Sequence, residues 1–296
     1  MTPAIPPADA APPPRRSGRA RPALPEPFRA GLRPLGDAPW LRDGAGLGAL
    51  LAERAALHAR DPRAVHRRVG DAGEAVDPIF LDALERAGID CLALVGGALV
   101  AAGREAPTGT GPTPLASAAL AVAEDLAALV RDVDGWRLAE AFVAAPSAWR
   151  LGEKIGRPLA EVHGPVPGFA AGTEGDALVT RMFDALRPGA PVVRGSWSLH
   201  ADDRRFLPAH APDHAARLGR SSLEALFLRT ERQVLHRLDG GAVLFSIDTR
   251  IGRVDALEAR ELEAQLARLT PAQRAYRGLP ERGPYRGGTG GPDEPT

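Results

Sequence analysis

Two alternating runs, Leu226–Leu238 and Val243–Ile251, flank the tetrad Asp239-Gly240-Gly241-Ala242. An Asp-Gly pair between such runs favours a tight turn whose twist matches two antiparallel strands, so a β-hairpin is the first element fixed. Pro191–His200 alternates too, with Val193, Trp197 and Leu199 on one face and Arg194, Ser196, Ser198 and His200 on the other. Trp136–Ala144 reads as a further strand. Helical periodicity predicts Leu47–Arg60, with Leu47, Leu50, Leu51 and Leu57 in one stripe and Pro62 just beyond its end. It also predicts Ile79–Ala87, closed by Gly88, and Ala256–Leu269, ending before Pro271. Leu115–Val130 is rich in Ala and Leu on most sides and reads as a buried helix, interrupted by Glu124 and Asp125. Helices early, antiparallel strands in the middle and a closing helix place the chain in the α+β class.

Residues 1–27 are too rich in proline and too poor in large apolar side chains to build a core, and read as a disordered Pro/Arg-rich tail. Residues 280–296, rich in Gly and Pro, read the same way. The expected folded unit is a single domain over 28–279, with no internal repeat or linker. Lys+Arg and Asp+Glu both number 37, which leaves no basic surplus of the kind a nucleic-acid binder needs. The basic residues are almost all arginine, Lys154 being the only lysine. Cys91 is the only cysteine, which excludes a disulfide framework, a Cys-ligated zinc and a Cys₄ iron–sulfur cluster. No run reaches the 18 or so apolar residues needed to span a bilayer, and no signal peptide is evident. The expectation is a soluble, cytoplasmic protein.

Arg232 sits in the middle of the more apolar face of the first hairpin strand, among Leu226, Leu228, Thr230, Val234, His236 and Leu238. A guanidinium there needs a carboxylate such as Glu124 or Asp125, a cluster of carbonyls, an anionic ligand, or a route to the sheet edge. Glu231 falls on the opposite face with Phe227, Arg229, Gln233, Leu235 and Arg237. His163 lies in an apolar stretch, Leu159 to Phe169, where Pro165 and Pro167 favour extended backbone and Gly164 leaves room beside the ring. Such a loop suits an axial metal ligand, or simply a hydrogen-bonded histidine. His200, with His163 and Glu231, is a second candidate metal set of generic spacing. The other histidines, His58, His66, His210, His214 and His236, show no metal-ligand pattern. Neither GxGxxG nor GxxxxGK[ST] occurs, and Ser147 and Ser198 lack a nucleophile elbow. The only tyrosines, Tyr276 and Tyr285, are C-terminal, so none is expected at a central site.

Several strings, in order, resemble the haem-dependent oxidative N-demethylase family, specifically its haem-binding alpha-subunit-like proteins. They are Pro27–Leu35, Glu124-Asp125-Leu126, Pro146-Ser147-Ala148-Trp149, Glu153–Leu159, His163 with Pro165-Val166-Pro167-Gly168, Trp197-Ser198-Leu199-His200, Phe227–Gln233 and Ala275–Leu279. The resemblance implies a PAS-like fold, an antiparallel sheet with surrounding helices enclosing a b-type haem. It implies oxidation of a small secondary amine such as dimethylamine by O₂, with release of formaldehyde. Electrons would come from NAD(P)H through a partner reductase with flavin and iron–sulfur centres, since this chain carries no cradle or cluster of its own. Carried over residue by residue, the family pattern makes His163 the proximal iron ligand within its proline string, including Pro165. It makes Arg232 the distal residue, its charge stabilising negative charge developing on dioxygen. Glu231 reaches the substrate ammonium only if the strand bulges, and Trp197 lines the pocket. The alternative is a haem-binding PAS-like sensor or carrier without turnover.

Overall fold

A computed structural model describes residues 23–29, 31–42, 46–70, 92–95, 98–101 and 113–281. The predicted helix Ile79–Ala87, Cys91 and nearly all of both predicted tails lie outside the described residues. Strands are numbered along the chain: β1 (Arg33–Pro34), β2 (His66–Arg68), β3 (Leu92–Val95), β4 (Ala98–Ala101), β5 (Asp125–Asp132), β6 (Gly135–Phe142), β7 (Val192–His200), β8 (Phe227–Arg237) and β9 (Val243–Arg253). Among the described residues no helix is long and apolar enough to cross a membrane.

The hairpin forms as its sequence requires. β8 and β9 pair without a register shift from Phe227↔Arg253 to Arg237↔Val243. Gly241 takes φ 88 in the turn, a conformation costly for any residue with a Cβ. The hairpin is the centre of a seven-stranded antiparallel sheet of order β1-β7-β8-β9-β5-β6-β2; β3 and β4 form a separate pair.

Both faces of the sheet are covered, which is why neither face of β8 is uniformly polar. The face bearing Leu235 and Val243 packs against the helical segments Leu151–Lys154, Leu159–Val162 and Glu174–Ala185, through Leu151, Leu159, Val179 and Phe183. We refer to it as the first face. On the second face, Leu126, Ala128, Phe142 and Leu244 pack against helices Leu47–Arg60 and Pro114–Ala121. At its other end Trp197, Leu199 and Leu228 pack against Leu218, Leu262 and Leu266 of the C-terminal half.

The predicted helix Leu115–Val130 is half right. The chain is helical only over Pro114–Ala121; Val122 turns extended, and Asp125–Asp132 is strand β5. Periodicity cannot separate a buried strand from a buried helix in a run of Ala and Leu. What decides is Asp125. Its carboxylate accepts the backbone N–H groups of Ala144 and Ala145, each at 2.9 Å, and meets Arg54 Nη1 at 2.8 Å. Arg54 also donates to the carbonyls of Ala119, Ala123 and Glu124. This buried knot fastens the helix-to-strand junction to the end of β6. The closing helix stops at Leu266, three residues before the predicted end.

The folded part begins before the predicted boundary at Phe28. Leu24 is buried, its N–H bonds Glu261, and the Pro25 carbonyl accepts from Trp197 Nε1.

Candidate functional site

Strand alternation, taken across the whole sheet, sorts the candidate residues. β7 and β8 pair as Arg194↔Gln233, Ser196↔Glu231 and Ser198↔Arg229. Together with Thr249 of β9, opposite Glu231, these residues share the first face. The apolar part of that face lies toward Leu235 and Phe245, and the polar part toward Arg229 and His200.

Glu231 lies at the centre of the polar part. Arg229 Nε lies 3.3 Å from one carboxylate oxygen, and Gln233 Nε2 donates to the other at 2.9 Å. Arg229 is almost fully buried, and its remaining N–H groups reach the carbonyls of Arg205 and Ala145. Arg194 and Arg277 are close enough to Glu231 for its charge to act on both. Burial draws the Arg277 guanidinium down to about 10, with Tyr276 and Glu231 opposing the shift. Arg277 also stacks over the rings of Phe28 and Trp197 and donates to the Trp197 carbonyl. The C-terminal segment therefore returns to the sheet and brings Tyr276 with it. The expectation that no tyrosine lies near the centre followed distance along the chain, and the fold overrides it.

His163 stands on the same side of the sheet as Glu231. The segment Leu159–Val162 is one helical turn, where an extended loop was expected, and His163 caps it. The prolines act one residue later, where Val166 N–H bonds the His163 carbonyl at 2.7 Å and turns the chain. Pro165 is exposed in that turn. Gly164 is also explained differently: a Cβ there would stand 3.2 Å from the Glu161 carbonyl oxygen, so glycine relieves crowding in the backbone and does not make room for a ligand. His163 Nδ1 lies 3.0 Å from the Leu159 carbonyl oxygen, which can only accept. That bond makes Nδ1 the protonated nitrogen and leaves the lone pair on Nε2. Burial holds the His163 pKa below its ordinary value, with Lys154 and Arg194 adding to the shift. A neutral imidazole with one nitrogen tied to a carbonyl leaves the other nitrogen able to act as a metal ligand.

Arg232 does not belong to this group. β8 has no bulge, so Arg232 projects from the second face, opposite Glu231 and His163. Its guanidinium donates to the carbonyls of Trp40 (2.8 Å) and Pro39 (2.6 Å), the carbonyl-cluster solution to a half-buried charge. It thereby clasps the segment that carries Trp40, whose indole bonds Ser246 and packs on His236. Trp197 is on the second face as well, buried in the core and bonded to Pro25 and Gln265. Neither residue lines the side that carries His163. The residue missed is Arg229, and its signal was available: it alternates in phase with Glu231, whereas Arg232 does not. Arg232→Ala is expected to cost about 1–3 kcal/mol through loss of two charge-assisted hydrogen bonds while leaving ligand binding at His163 unchanged. Urea unfolding and a ligand titration check the two halves separately.

Beneath Arg232 lies an acidic pair. The Glu124 carboxylate accepts the Arg42 N–H at 2.6 Å, and its other oxygen is buried with no partner among the described residues. Burial, reinforced by the nearby Asp248 charge, raises Glu124 to about 7 from an ordinary 4.5. The folded protein therefore keeps a proton that the unfolded chain releases, so stability falls as pH rises from about 4.5 and levels off above 7. Glu124→Gln is expected to flatten that slope and to gain up to about 3 kcal/mol at pH 8. An unchanged difference in urea midpoint between pH 5 and pH 8 would count against it.

His200, at the end of β7, is buried on the first face, bonded to Ser198 Oγ at 2.8 Å. By register it stands four residues along β7 from the position opposite Glu231, and among the described residues His163, His200 and Glu231 do not converge as a metal set. Instead it meets His210 and His214, two residues for which the spacing gave no warning. A cavity of about 340 Å³, lined in part by Val143, Trp149, Leu151, Phe206 and Arg67, contains none of these candidates.

A model of the family described as haem-dependent oxidative N-demethylase, alpha subunit-like, matches residues 99–284, more than half of the chain. No curated protein matches.

Proposed function

Because the chain belongs to the haem-dependent oxidative N-demethylase, alpha subunit-like, family, we propose that it is the haem-binding component of an enzyme that removes a methyl group from a small secondary amine. The observation that carries this reading is that a neutral His163 and the Glu231 carboxylate stand on one side of the sheet, with Arg194 acting on both.

The donor set fits haem b. His163 would offer Nε2 to the iron, its tautomer fixed by the Leu159 carbonyl. Arg194 and Arg277 supply guanidiniums of the kind that pair with propionate carboxylates. When bound, the haem supplies the redox centre at which O₂ is reduced. The balanced reaction takes dimethylamine, O₂, two electrons and two protons to methylamine, formaldehyde and water. The protein's own part is binding and orientation. Glu231, with both oxygens fixed by Arg229 and Gln233, presents a carboxylate to a secondary ammonium ion. Arg229 and Gln233 hold that carboxylate in place, and no bulge is needed to bring it to the His163 side. The apolar residues around His163, among them Val162 and Phe169, limit access of water.

The alpha-subunit-like assignment implies a partner subunit. With one cysteine and no nucleotide cradle, this chain takes its electrons from that partner, an NAD(P)H-dependent flavin and iron–sulfur reductase on this reading. The cytoplasm supplies both the reduced nucleotide and the reducing conditions.

The test is the visible spectrum of protein produced with a haem precursor, followed by dimethylamine-dependent formaldehyde release with a reductase present. A Soret band of one haem per chain with formaldehyde release supports the enzyme. The same band without amine-dependent turnover favours a sensor or carrier, and no band in folded protein dismisses both.

A further inference from the structure

Three histidines that the proposed reaction does not use converge at the far end of β7. His200 closes that strand, His210 lies in the following loop, and His214 opens the helix His214–Arg220. The His210 and His214 rings stack at 4.1 Å, and both stand about as close to His200, at 6.0 and 5.8 Å between centroids. One ring nitrogen from each lies within 4.8 Å of the other two. His200 Nδ1, His210 Nδ1 and His214 Nε2 are all buried, and none has a hydrogen-bond partner among the described residues.

Three buried imidazole nitrogens without partners are hard to explain as packing alone, since each forfeits the hydrogen bond it had in water. A single cation accepting all three lone pairs removes the deficit at once. We propose that His200, His210 and His214 bind one divalent transition-metal ion of the zinc type. The donor chemistry supports that class: nitrogen ligands alone suit zinc and its neighbours and disfavour magnesium or calcium. Asp202, whose charge acts on His200 and His214, is engaged by Arg204 and Arg217. His200 has the outer contact expected of a ligand, its Nε2 tied to Ser198 and near Ser147. Burial keeps all three rings in the neutral, ligating form: His200 is held near 3 and His214 near 4, and His210 is lowered in the same direction. The charges facing the cluster are mixed. Arg229 and Arg217 oppose a cation, and Asp202 and Asp213 favour one.

The pocket is too tight for a macrocycle. A Cβ on Gly278 would come within 2.9 Å of His210 Nε2 and 3.0 Å of His214 Cδ2, so the backbone already closes over the rings. Six residues of extended strand, about 20 Å, separate His200 from Arg194, whose charge acts on His163. The metal site and the proposed haem position are therefore distinct. An ion there would clip the end of β7 to the helix 214–220, with three nitrogen donors filled and a fourth position open for water.

The experiment is metal analysis of tag-free, full-length protein stripped with chelator and then dialysed against Zn²⁺, with haem content measured on the same samples. One equivalent of zinc per chain is expected. His214→Ala and His210→Gln should each weaken zinc binding about tenfold or more while circular dichroism and haem content stay unchanged. His163→Ala should do the reverse, keeping its zinc while losing haem, which separates failure of this site from failure of the haem reading. Wild-type protein that takes up no stoichiometric zinc would overturn the proposal. So would folded histidine variants that retain it, or loss of haem on His214→Ala.

Discussion

Arg54→Leu is expected to destabilise the protein by about 3–5 kcal/mol, the range found when one partner of a buried ion pair is removed. The side chain is about 1% exposed, and its ion pair with Asp125 is equally buried. Replacement leaves Asp125 charged in the core and strips the carbonyls of Ala119 and Glu124 of their donors. Asp125 keeps its bonds to Ala144 and Ala145, which limits the loss and sets the lower end of the range. Since a whole domain is held by only about 5–15 kcal/mol, the variant should unfold well below the wild-type urea midpoint. Arg54→Lys should recover only part of the loss, because an ammonium is a point charge and cannot reach several acceptors in a plane at once. A loss below about 1 kcal/mol for the leucine variant would mean that the knot does not fasten the junction.

The second large effect follows from the proposed haem assignment. His163→Ala is expected to lower haem content well below one per chain and to remove the features of histidine ligation from any haem that remains. Fold should survive, because His163 is half-buried and its side-chain hydrogen bond among the described residues is to a carbonyl one turn back. Added imidazole should restore part of the wild-type spectrum, since the vacated space matches the lost ring. Haem stoichiometry and spectrum that stay as in wild type would remove His163 from the site.

Strands with one polar neighbour per apolar residue were legible, and those without were not. β7, β8 and β9 announce themselves by alternation and by the Asp239-Gly240 turn. β5 does not, because Leu126 to Leu129 is buried on both faces and a fully buried strand has no alternation to show. The same double burial misdirected the choice of arginine on β8. Arg232 looked exceptional on a face that seemed apolar, yet both faces carry buried residues, and its charge is absorbed by carbonyls contributed from Pro39 and Trp40, nearly two hundred residues away. His163 and Glu231 were visible as individuals. Their common side of the sheet, and the return of Arg277 to β7 beside it, depend on helices and a C-terminal segment whose docking no local pattern encodes. The histidine cluster is the extreme case. The spacing of His210 and His214 is a weak signal alone, and His200 joins them only through the fold.

The chain enters and leaves this domain at nearly the same place. Phe28 meets Tyr276 with ring centroids 6.0 Å apart, Arg277 lies over Phe28, and Leu24 is bonded to Glu261 and Gln265. Residues 24–28 and 276–279 thus lie together at one corner of the described domain, beside β7, and β2 forms the opposite edge of the sheet. A short linker joining residues 24 and 279 should give a circular permutant that keeps the sheet intact, with new ends opened in the exposed Val133-Asp134 turn.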